Sequence, residues 1–348
     1  MLELESAVRT PLVLNDPAPD EFKRGRPLVD RFGRRIDHLR LSVTSRCDLR
    51  CVYCRPDATQ RLDCPAHKLS DEQRAEFVGF LYQDFGLTQV RITGGEPLLH
   101  TGVTSLIETI RRSAPELNIA MTTNGRLLAD RCKELRSAGL DRLNVSVDSI
   151  DPERYRRITG GNLRDVLAGL EAAAAAGFPP AKINAVVLRG HNGDEAVDLV
   201  RWAFSRGSEI RFLEAMPIGP AAEANRRGFV SAAEVRRRIG EHFALTPLPI
   251  GRGETARRWL ATNGKTRGIV ATIAPVTEPF CSGCRRLRLT ADGRLFPCLL
   301  DNRYEDLGST WTDGSFNPER ATRIVLSAAR QKYFNGTGQT AAMVALGG

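Results

Sequence analysis

Three cysteines lie close together in the sequence, in the order Cys47, Cys51 and Cys54. They follow a short apolar run, so we expect them in a loop directly after a strand, where a turning backbone can aim three thiolates at one point. A structural zinc site prefers four ligands, and no histidine lies near enough to make this group a typical catalytic zinc site. Because clusters that only transfer electrons normally have four ligands, three thiolates favour an iron–sulfur cluster with one open iron.

A second group of three cysteines lies near the end of the chain and consists of Cys281, Cys284 and Cys298. The nearest preceding histidine is His242 and none follows, so a second open-iron cluster is favoured over zinc. Zinc completed by a distant histidine or aspartate stays an alternative. The remaining cysteines, Cys64 and Cys132, stand alone. This grouping argues against disulfides and for a reducing compartment.

The first group, with Tyr53 before its last cysteine, resembles the signature of the radical S-adenosylmethionine (SAM) superfamily. A second element of that superfamily is the segment Gly94-Gly95-Glu96-Pro97. The resemblance implies that Cys47, Cys51 and Cys54 hold a 4Fe–4S cluster whose free iron chelates the amino and carboxylate groups of SAM. Reduction of the cluster would cleave SAM to a radical that removes hydrogen from a substrate. The resemblance also implies that the glycines let the backbone approach the methionyl amino group.

Repeated strand and helix patterns must position these residues. Six short apolar or β-branched runs predict parallel strands at 39–44, 89–93, 119–123, 142–148, 182–188 and 209–216. Segments of helical composition separate nearly all of them, among them Asp71 to Phe85 behind Ser70 as N-cap. We expect an α/β fold: an incomplete (β/α)6 TIM-type barrel closed by a smaller C-terminal α+β cluster-binding module.

The predicted strands alternate polar and apolar residues, although the strands of a filled barrel are usually apolar on the inside. Arg40, Arg91, Asn144 and Lys182 would share the interior face if helices cover the apolar one. If these polar groups were buried without hydrogen-bond partners, each would cost roughly several kcal/mol of folding free energy. Something polar should therefore occupy the interior. The alternative is an antiparallel sheet with one solvated face.

Length and charge add further limits. The chain has 348 residues with 50 Lys and Arg against 41 Asp and Glu, and the resulting charge of +9 favours an anionic partner. No apolar stretch is long enough to cross a bilayer. We expect a flexible N-terminal arm at 1–33 without a secretory signal, a barrel domain at 34–245, a cluster module at 246–348 and a cytoplasmic location.

Within the superfamily, the chain resembles the GTP 3′,8-cyclase family of molybdenum cofactor biosynthesis from about Gly33 to its last residue. The matching segments are 39–47, 91–98, 122–125, 144–148, 211–216, the C-terminal cysteines and the terminal Gly347-Gly348. The resemblance implies rearrangement of GTP to 3′,8-cyclo-7,8-dihydroguanosine triphosphate. An arginine-lined interior suits a triphosphate, because arginine forms charge-assisted and often bidentate bonds to phosphate.

The same resemblance implies roles for individual positions. Contacts to SAM are implied for Tyr53, Gly95, Ser146 and Met216. Contacts to GTP are implied for Arg40, Arg91, Thr122, Lys182, Arg286, Leu287 and Arg288. Cys281, Cys284 and Cys298 would hold a second 4Fe–4S cluster whose free iron takes the guanine edge. Catalytic assistance is implied for Arg286, Arg288, Gly347 and Gly348.

The resemblance also implies partners: cyclic pyranopterin monophosphate synthase downstream and an electron donor such as flavodoxin or ferredoxin. We expect no nucleic-acid partner and no membrane partner, and the sequence is compatible with a monomer or a homodimer. One alternative is another two-cluster radical SAM enzyme, such as a peptide-modifying maturase. A second is a basic nucleic-acid-binding protein, against which the low aromatic content of 6% counts.

Overall fold

The structure is a computed structural model that describes residues 25–54, 69–251 and 253–334. Three positions singled out from the sequence, Cys64, Gly347 and Gly348, lie outside the described residues. The same holds for most of the predicted N-terminal arm at 1–33. Their predicted roles therefore stay predictions.

The six predicted strands form the centre of one sheet and are all parallel to their neighbours. They are β1 (His38–Ser42), β2 (Gln89–Thr93), β3 (Asn118–Thr123), β4 (Arg142–Ser146), β5 (Lys182–Val187) and β6 (Ile210–Glu214). Their order in the sheet follows their order in the chain. The alternative of an antiparallel sheet is therefore wrong.

Helices connect these strands, as the sequence pattern predicts. They are α1 (Asp71–Phe85), α2 (Val103–Ser113), α3 (Leu128–Ser137), α4 (Pro152–Thr159), α5 (Leu163–Ala175), α6 (Ala196–Ser205), α7 (Ala222–Arg227) and α8 (Ala232–Gly240). Both predicted ends of α1 are confirmed. The Ser70 side chain accepts the Gln73 N–H in a capping box, and Gly86 ends the helix at φ 65°, a left-handed conformation that glycine adopts without steric cost.

The apolar residues of the strands are buried beneath the helices. Leu39, Leu41 and Val43 of the first βα unit are at most 3% exposed, and the equivalent residues of the other strands belong to the same core. Because side chains alternate across a strand, the intervening polar residues point to the opposite face. That face lies inside the curve of the sheet. Within the described ranges, no helix has the length and apolar character needed to cross a bilayer.

The C-terminal strands extend the same sheet at both edges. They are β7 (Ala244–Pro247), β8 (Arg257–Asn263), β9 (Thr266–Ile273), β10 (Arg286–Leu289), β11 (Arg294–Phe296) and β12 (Glu305–Asp306), with a separate pair β13 (Trp311–Thr312) and β14 (Ser315–Phe316) before α9 (Pro318–Arg330). Strand β9 pairs in parallel with β6, and β10 in parallel with β1.

These two pairings cover both edge strands of the open barrel, β1 and β6. The unpaired backbone groups of β1 and β6 would otherwise face solvent or another chain. Sequence periodicity predicted a smaller closing module but did not reveal that its strands join the barrel sheet. The predicted domain boundary between residues 245 and 246 falls inside β7, so strand pairing does not mark it and it stays a prediction.

Candidate functional site

One cavity of about 330 Å³ lies inside the curve of the sheet. Both cysteine groups contribute to its lining, one from the loop after β1 and the other from the C-terminal strands. The loops that follow the barrel strands form its wall, which is the usual place of an active site in such barrels. The predicted residues that line it are Arg40, Tyr53, Arg91, Gly95, Thr122, Ser146, Met216, Arg286 and Arg288.

The loop that carries the first cysteine group is held in place by backbone hydrogen bonds. The N–H groups of Arg50 and Val52 donate to the carbonyls of Thr159 and Ile158 at the end of α4, both at 2.9 Å. None of these three cysteines is in a disulfide bond, and all three line the cavity and are partly exposed. Burial, together with the nearby carboxylate of Asp148, raises the pKa of the Cys51 thiol, so a bound cation would be needed to stabilise its thiolate.

The two glycines after β2 allow that strand's loop to pack directly against the cysteine loop. A Cβ atom added to Gly95 would lie 2.2 Å from the Arg46 carbonyl oxygen, and one added to Gly94 would lie 2.6 Å from the Thr44 carbonyl oxygen. The Gly95 N–H donates to Thr44 at 2.7 Å. The close approach that the structure shows is therefore backbone to backbone, whereas an approach to the methionyl amino group stays a prediction.

Glu96 joins three of the loops around the cavity. Its carboxylate accepts the Thr123 hydroxyl at 2.6 Å and the N–H groups of Asn124 at 2.7 Å and Leu98 at 3.1 Å. The Asn124 side chain in turn donates to Asp48 in the cysteine loop at 2.7 Å. Burial raises the pKa of Glu96 to about 7, and the three donors oppose that rise. The glutamate of this motif therefore fixes loop geometry in the structure.

We expect the Glu96→Gln variant to lose about 2 kcal/mol in free energy of unfolding, since an amide NH2 would face donors and leave a buried group unsatisfied. Anaerobic thermal or denaturant unfolding of the purified protein would measure the loss. Glu108→Gln, at an exposed position on α2, is the matched control. Equal stability of the two variants would show that the carboxylate does not hold the loops.

Three arginines lie side by side on the inner face of neighbouring strands. Arg40 on β1 is in register with Arg288 on β10 and with Arg91 on β2. Burial, followed by the charges of Arg211 and Arg142, lowers the pKa of Arg91 to about 9, and burial with the charge of Arg286 lowers the pKa of Arg288 to about 10. Like charges opposite one another on a sheet repel, so this arginine row would be stabilised by an anion.

On the same face, and within the part of the chain that the structure describes, two buried polar atoms have no hydrogen-bond partner. They are the Nε of Arg91 and the Oδ1 of Asn184. Buried polar atoms are normally hydrogen-bonded, and here both residues line the cavity. The interior therefore offers donors, an acceptor and positive charge to a polar, anionic ligand, as the alternating strands predict.

A smaller space of about 140 Å³ lies at the amino ends of the strands. Arg40, Arg91, Arg211 and Arg286 line both spaces, so the two adjoin. Lys182 lines the smaller space and lies 3.5 Å from Glu209, which also pairs with Arg211 at 2.5 Å. Arg142 and Arg258 add further positive charge to the lining of this smaller space. This end of the cavity has room and charge for phosphate groups.

The second cysteine group flanks the arginine row. Cys281 begins a short 3-10 helix (Cys281–Gly283), Cys284 ends it two residues before β10 begins at Arg286, and Cys298 lies two residues after the end of β11. Burial alone would raise the pKa of Cys284, but the charges of Lys332 and Arg286 lower it to about 6. This position therefore favours a thiolate, the form that binds metal.

Among the described residues, no three His, Cys, Asp or Glu side chains are placed to hold a metal ion. The described residues therefore offer no set of ligands that supports the zinc alternative. In a cubane cluster each thiolate binds its own iron, so the ligands need not converge on one ion. Each of the two groups on this cavity supplies three thiols, which fits a 4Fe–4S cluster with three thiolate ligands and one open iron.

Sequence reasoning missed several contacts that shape the site. The Tyr53 hydroxyl donates to Asp148 at 2.7 Å, and burial raises the pKa of that aspartate to about 6. The buried Asn225 donates to the backbone carbonyls of Tyr53 at 2.9 Å and Met216 at 2.8 Å, which connects two predicted SAM contacts. No local pattern signals Asn225, because its partners are distant in sequence.

One predicted contact lies elsewhere. The Leu287 side chain is 2% exposed and packs into the apolar core with Leu39, Leu81 and Phe85, away from the cavity. Its neighbours Arg286 and Arg288 point to the opposite face of β10. The Leu287 side chain therefore does not face the cavity, and a substrate contact by this residue, which its backbone would have to make, stays a prediction.

Comparisons with known proteins agree with this geometry. The family described as "Radical SAM superfamily" matches residues 41–203, and "Molybdenum Cofactor Synthesis C" matches residues 208–336. A GTP 3′,8-cyclase of Paenarthrobacter nicotinovorans is 41% identical over 318 residues, covering 88% of this chain and 90% of the relative. One of Pseudomonas entomophila (strain L48) is 43% identical over 315 residues, covering 90% and 93%.

The chain belongs to the GTP 3′,8-cyclase family. The predicted family is thereby confirmed, and membership of the radical SAM superfamily implies SAM and 4Fe–4S clusters as cofactors. Among solved structures, Streptococcus suis SuiB bound to its precursor peptide SuiA superposes with a TM-score of 0.57 at 14% identity, covering 81% of this chain and 66% of that one. That likeness shows the shared fold and carries no support for the alternative of a peptide-modifying maturase.

Proposed function

We propose that this chain rearranges GTP to 3′,8-cyclo-7,8-dihydroguanosine 5′-triphosphate, the first step of molybdenum cofactor biosynthesis. The observation that carries the proposal is that both open cysteine groups and the row of arginines share one cavity. The family membership supports the same activity. A maturase acting on peptides would not require an interior this rich in arginine.

The first cysteine group would hold the cluster that binds SAM, and the second would hold a cluster facing the guanine. When bound and reduced, the first cluster would supply, from SAM, a carbon radical able to remove the 3′ hydrogen atom of the ribose, and the resulting sugar radical would add to C8 of guanine. Protein side chains do the rest: they hold, orient and shield the reacting groups.

Substrate binding would rest on the arginine row and on the basic space at the amino ends of the strands. Arg40, Arg91 and Arg288 would bind the triphosphate by charge-assisted hydrogen bonds, and the phosphates would relieve the repulsion among them. Lys182, already paired with Glu209, would contribute from the smaller space. Anchoring the triphosphate there would fix the ribose between the two cysteine groups.

Orientation of SAM would depend on the loops at the carboxyl ends of the strands. Tyr53, Gly95, Ser146 and Met216 all line the cavity next to the first cysteine group. Asn225 and Asp148 hold two of these residues in place by hydrogen bonds. Residues held in this way can keep SAM and substrate in contact. A closely filled cavity also excludes the water that would quench a radical.

Arg286 and Arg288 are the residues we propose for catalytic assistance, since they line the cavity together with the second cysteine group. They would help quench the aminyl radical left after cyclisation, a step that takes up one proton and one electron from the reductant. Gly347 and Gly348 keep their proposed role in turnover and lie outside the described residues. We further propose cyclic pyranopterin monophosphate synthase as the enzyme that takes the product, a flavodoxin or ferredoxin as electron donor, and a cytoplasmic location.

An anaerobic assay tests the activity. The reconstituted protein would be mixed with reductant and SAM, with and without GTP, while iron, 5′-deoxyadenosine and nucleotide product are quantified. We expect roughly eight irons per chain, two cubanes, and a cyclised nucleotide formed only with GTP. Roughly four irons, or deoxyadenosine formation unaffected by GTP, would point to a different substrate.

A further inference from the structure

Lys332 is a buried lysine that reaches the second cysteine group. It follows the end of α9 and is 2% exposed, although lysine is rarely buried without a partner. Its Nζ donates to the carbonyl oxygens of Arg286 and Pro297, each at 2.7 Å, and lies 3.5 Å from the Cys284 Sγ. The three donors of its ammonium are thus all directed at this group.

These contacts connect two of the segments that carry the cysteines. Arg286 lies two residues after Cys284, and Pro297 directly precedes Cys298. One ammonium therefore bonds both sides of the β10–β11 hairpin next to the sulfur atoms. A change at Lys332 would remove this link between the Arg286 and Pro297 carbonyls, while the pairing of Arg288 with Phe296 would remain.

The helix that delivers Lys332 is itself firmly anchored. Ala321, Val325, Ala328 and Ala329 of α9 are buried in the main core. Just after the helix, Gln331 donates to Glu305 at 2.5 Å, on the strand next to β11. The lysine therefore enters the site from a fixed position and not from a freely moving tail.

The charge of this lysine lacks a carboxylate partner among the described residues, where no Asp or Glu forms an ion pair with it. Burying an ammonium without an anion is costly. The neighbouring thiolates, with or without a cluster, are the anions that its position offers. Hydrogen bonds and positive charge near cluster sulfurs also favour the reduced, more negative cluster.

We propose that Lys332 is a positioning residue for the second iron–sulfur cluster: it hydrogen-bonds the Cys284 ligand, joins the two ligand-bearing strand ends and raises the reduction potential of the cluster. This inference rests on the proposed function, because it requires a cluster at Cys281, Cys284 and Cys298. It assigns no chemical step to the lysine.

The test uses full-length protein in which Cys47, Cys51 and Cys54 are replaced by alanine, so that the second site alone contributes iron and spectroscopic signal. In this background we would compare Lys332→Met with Lys265→Met, a control at an exposed position between β8 and β9. Iron content, far-UV circular dichroism and an anaerobic potentiometric titration followed by electron paramagnetic resonance would be measured.

We expect Lys332→Met either to shift the midpoint potential to more negative values or to lose the roughly four irons of this site, with unchanged circular dichroism. The Lys265→Met control should match the background. Unchanged iron and potential in Lys332→Met would overturn the inference. Should that variant fail to fold, Lys332→Gln, which keeps donors without the charge, is judged by the same criteria.

The design separates the two proposals. A background protein that loads iron while Lys332→Met behaves identically refutes only the role of Lys332. A background protein that binds no iron at all would refute the second cluster, and with it both this inference and the two-cluster form of the proposed function.

Discussion

Replacing Cys51 by alanine is expected to reduce 5′-deoxyadenosine formation to the level seen without enzyme. The cysteine lies in the middle of the first group, on a loop fixed to α4 by backbone hydrogen bonds, so the thiols of Cys47 and Cys54 are held away from its place. Removing one of three ligands leaves a cubane iron without its thiolate. The cluster is then lost, and with it the electron that cleaves SAM.

The measurement is the yield of 5′-deoxyadenosine under anaerobic reducing conditions, together with iron content. Cys132→Ala is the matched control, because that cysteine is buried in the core, its Sγ contacts the Gly169 carbonyl and neither residue lines the cavity. We expect the control to keep its iron and its deoxyadenosine yield. Appreciable deoxyadenosine from Cys51→Ala would mean that these cysteines do not hold the reducing cluster.

Arg40→Gln is expected to lower kcat/KM for GTP roughly 10- to 100-fold, since a hydrogen bond to a charged group contributes about 1.5 to 3 kcal/mol. Arg40 is the middle member of the arginine row, in register with Arg288 and Arg91. The same change should leave the stability of the ligand-free protein equal or higher. Burial and the charges of its two arginine neighbours lower the pKa of Arg40, so we expect the charged row to cost stability until an anion binds.

Steady-state kinetics and thermal unfolding without GTP would test both halves of this prediction. Arg157→Gln, at an exposed position on α4, removes the same charge away from the cavity and serves as control. A ligand-free Arg40→Gln protein that is clearly less stable, with GTP turnover unchanged, would assign Arg40 a structural role and remove it from the phosphate site.

The cysteine groups and the barrel strands could be predicted because their signals are local. Three thiols in eight positions, and strands whose residues alternate over five or six positions, are visible in short windows of sequence. The polar inner face followed from that alternation, and the structure places Arg40, Arg91 and Arg288 on it in register.

The same alternation could have excluded the Leu287 side chain. In a strand, the residue between two inward-pointing arginines must point outward, and it does so into the core. The prediction carried over a whole segment by resemblance, whereas the strand period places only alternate side chains on the inner face.

Other parts of the site depend on contacts between distant segments. Lys332 meets Cys284 across 48 positions, and Asn225 meets Tyr53 across 172. Nothing around either residue distinguishes it from a surface lysine or a helix asparagine. The parallel pairing of β9 and β10 with the barrel edges is likewise set by which backbone groups remain unpaired once six strands have formed.

The most direct test of the proposed reaction follows a single hydrogen atom. GTP carrying deuterium at the 3′ carbon of its ribose would be converted anaerobically by the reconstituted protein, and the 5′-deoxyadenosine would be examined by mass spectrometry. We expect one deuterium in the deoxyadenosine, together with a cyclised nucleotide that has lost it. Deoxyadenosine free of deuterium, formed while the nucleotide keeps its label, would contradict hydrogen removal from GTP in this cavity.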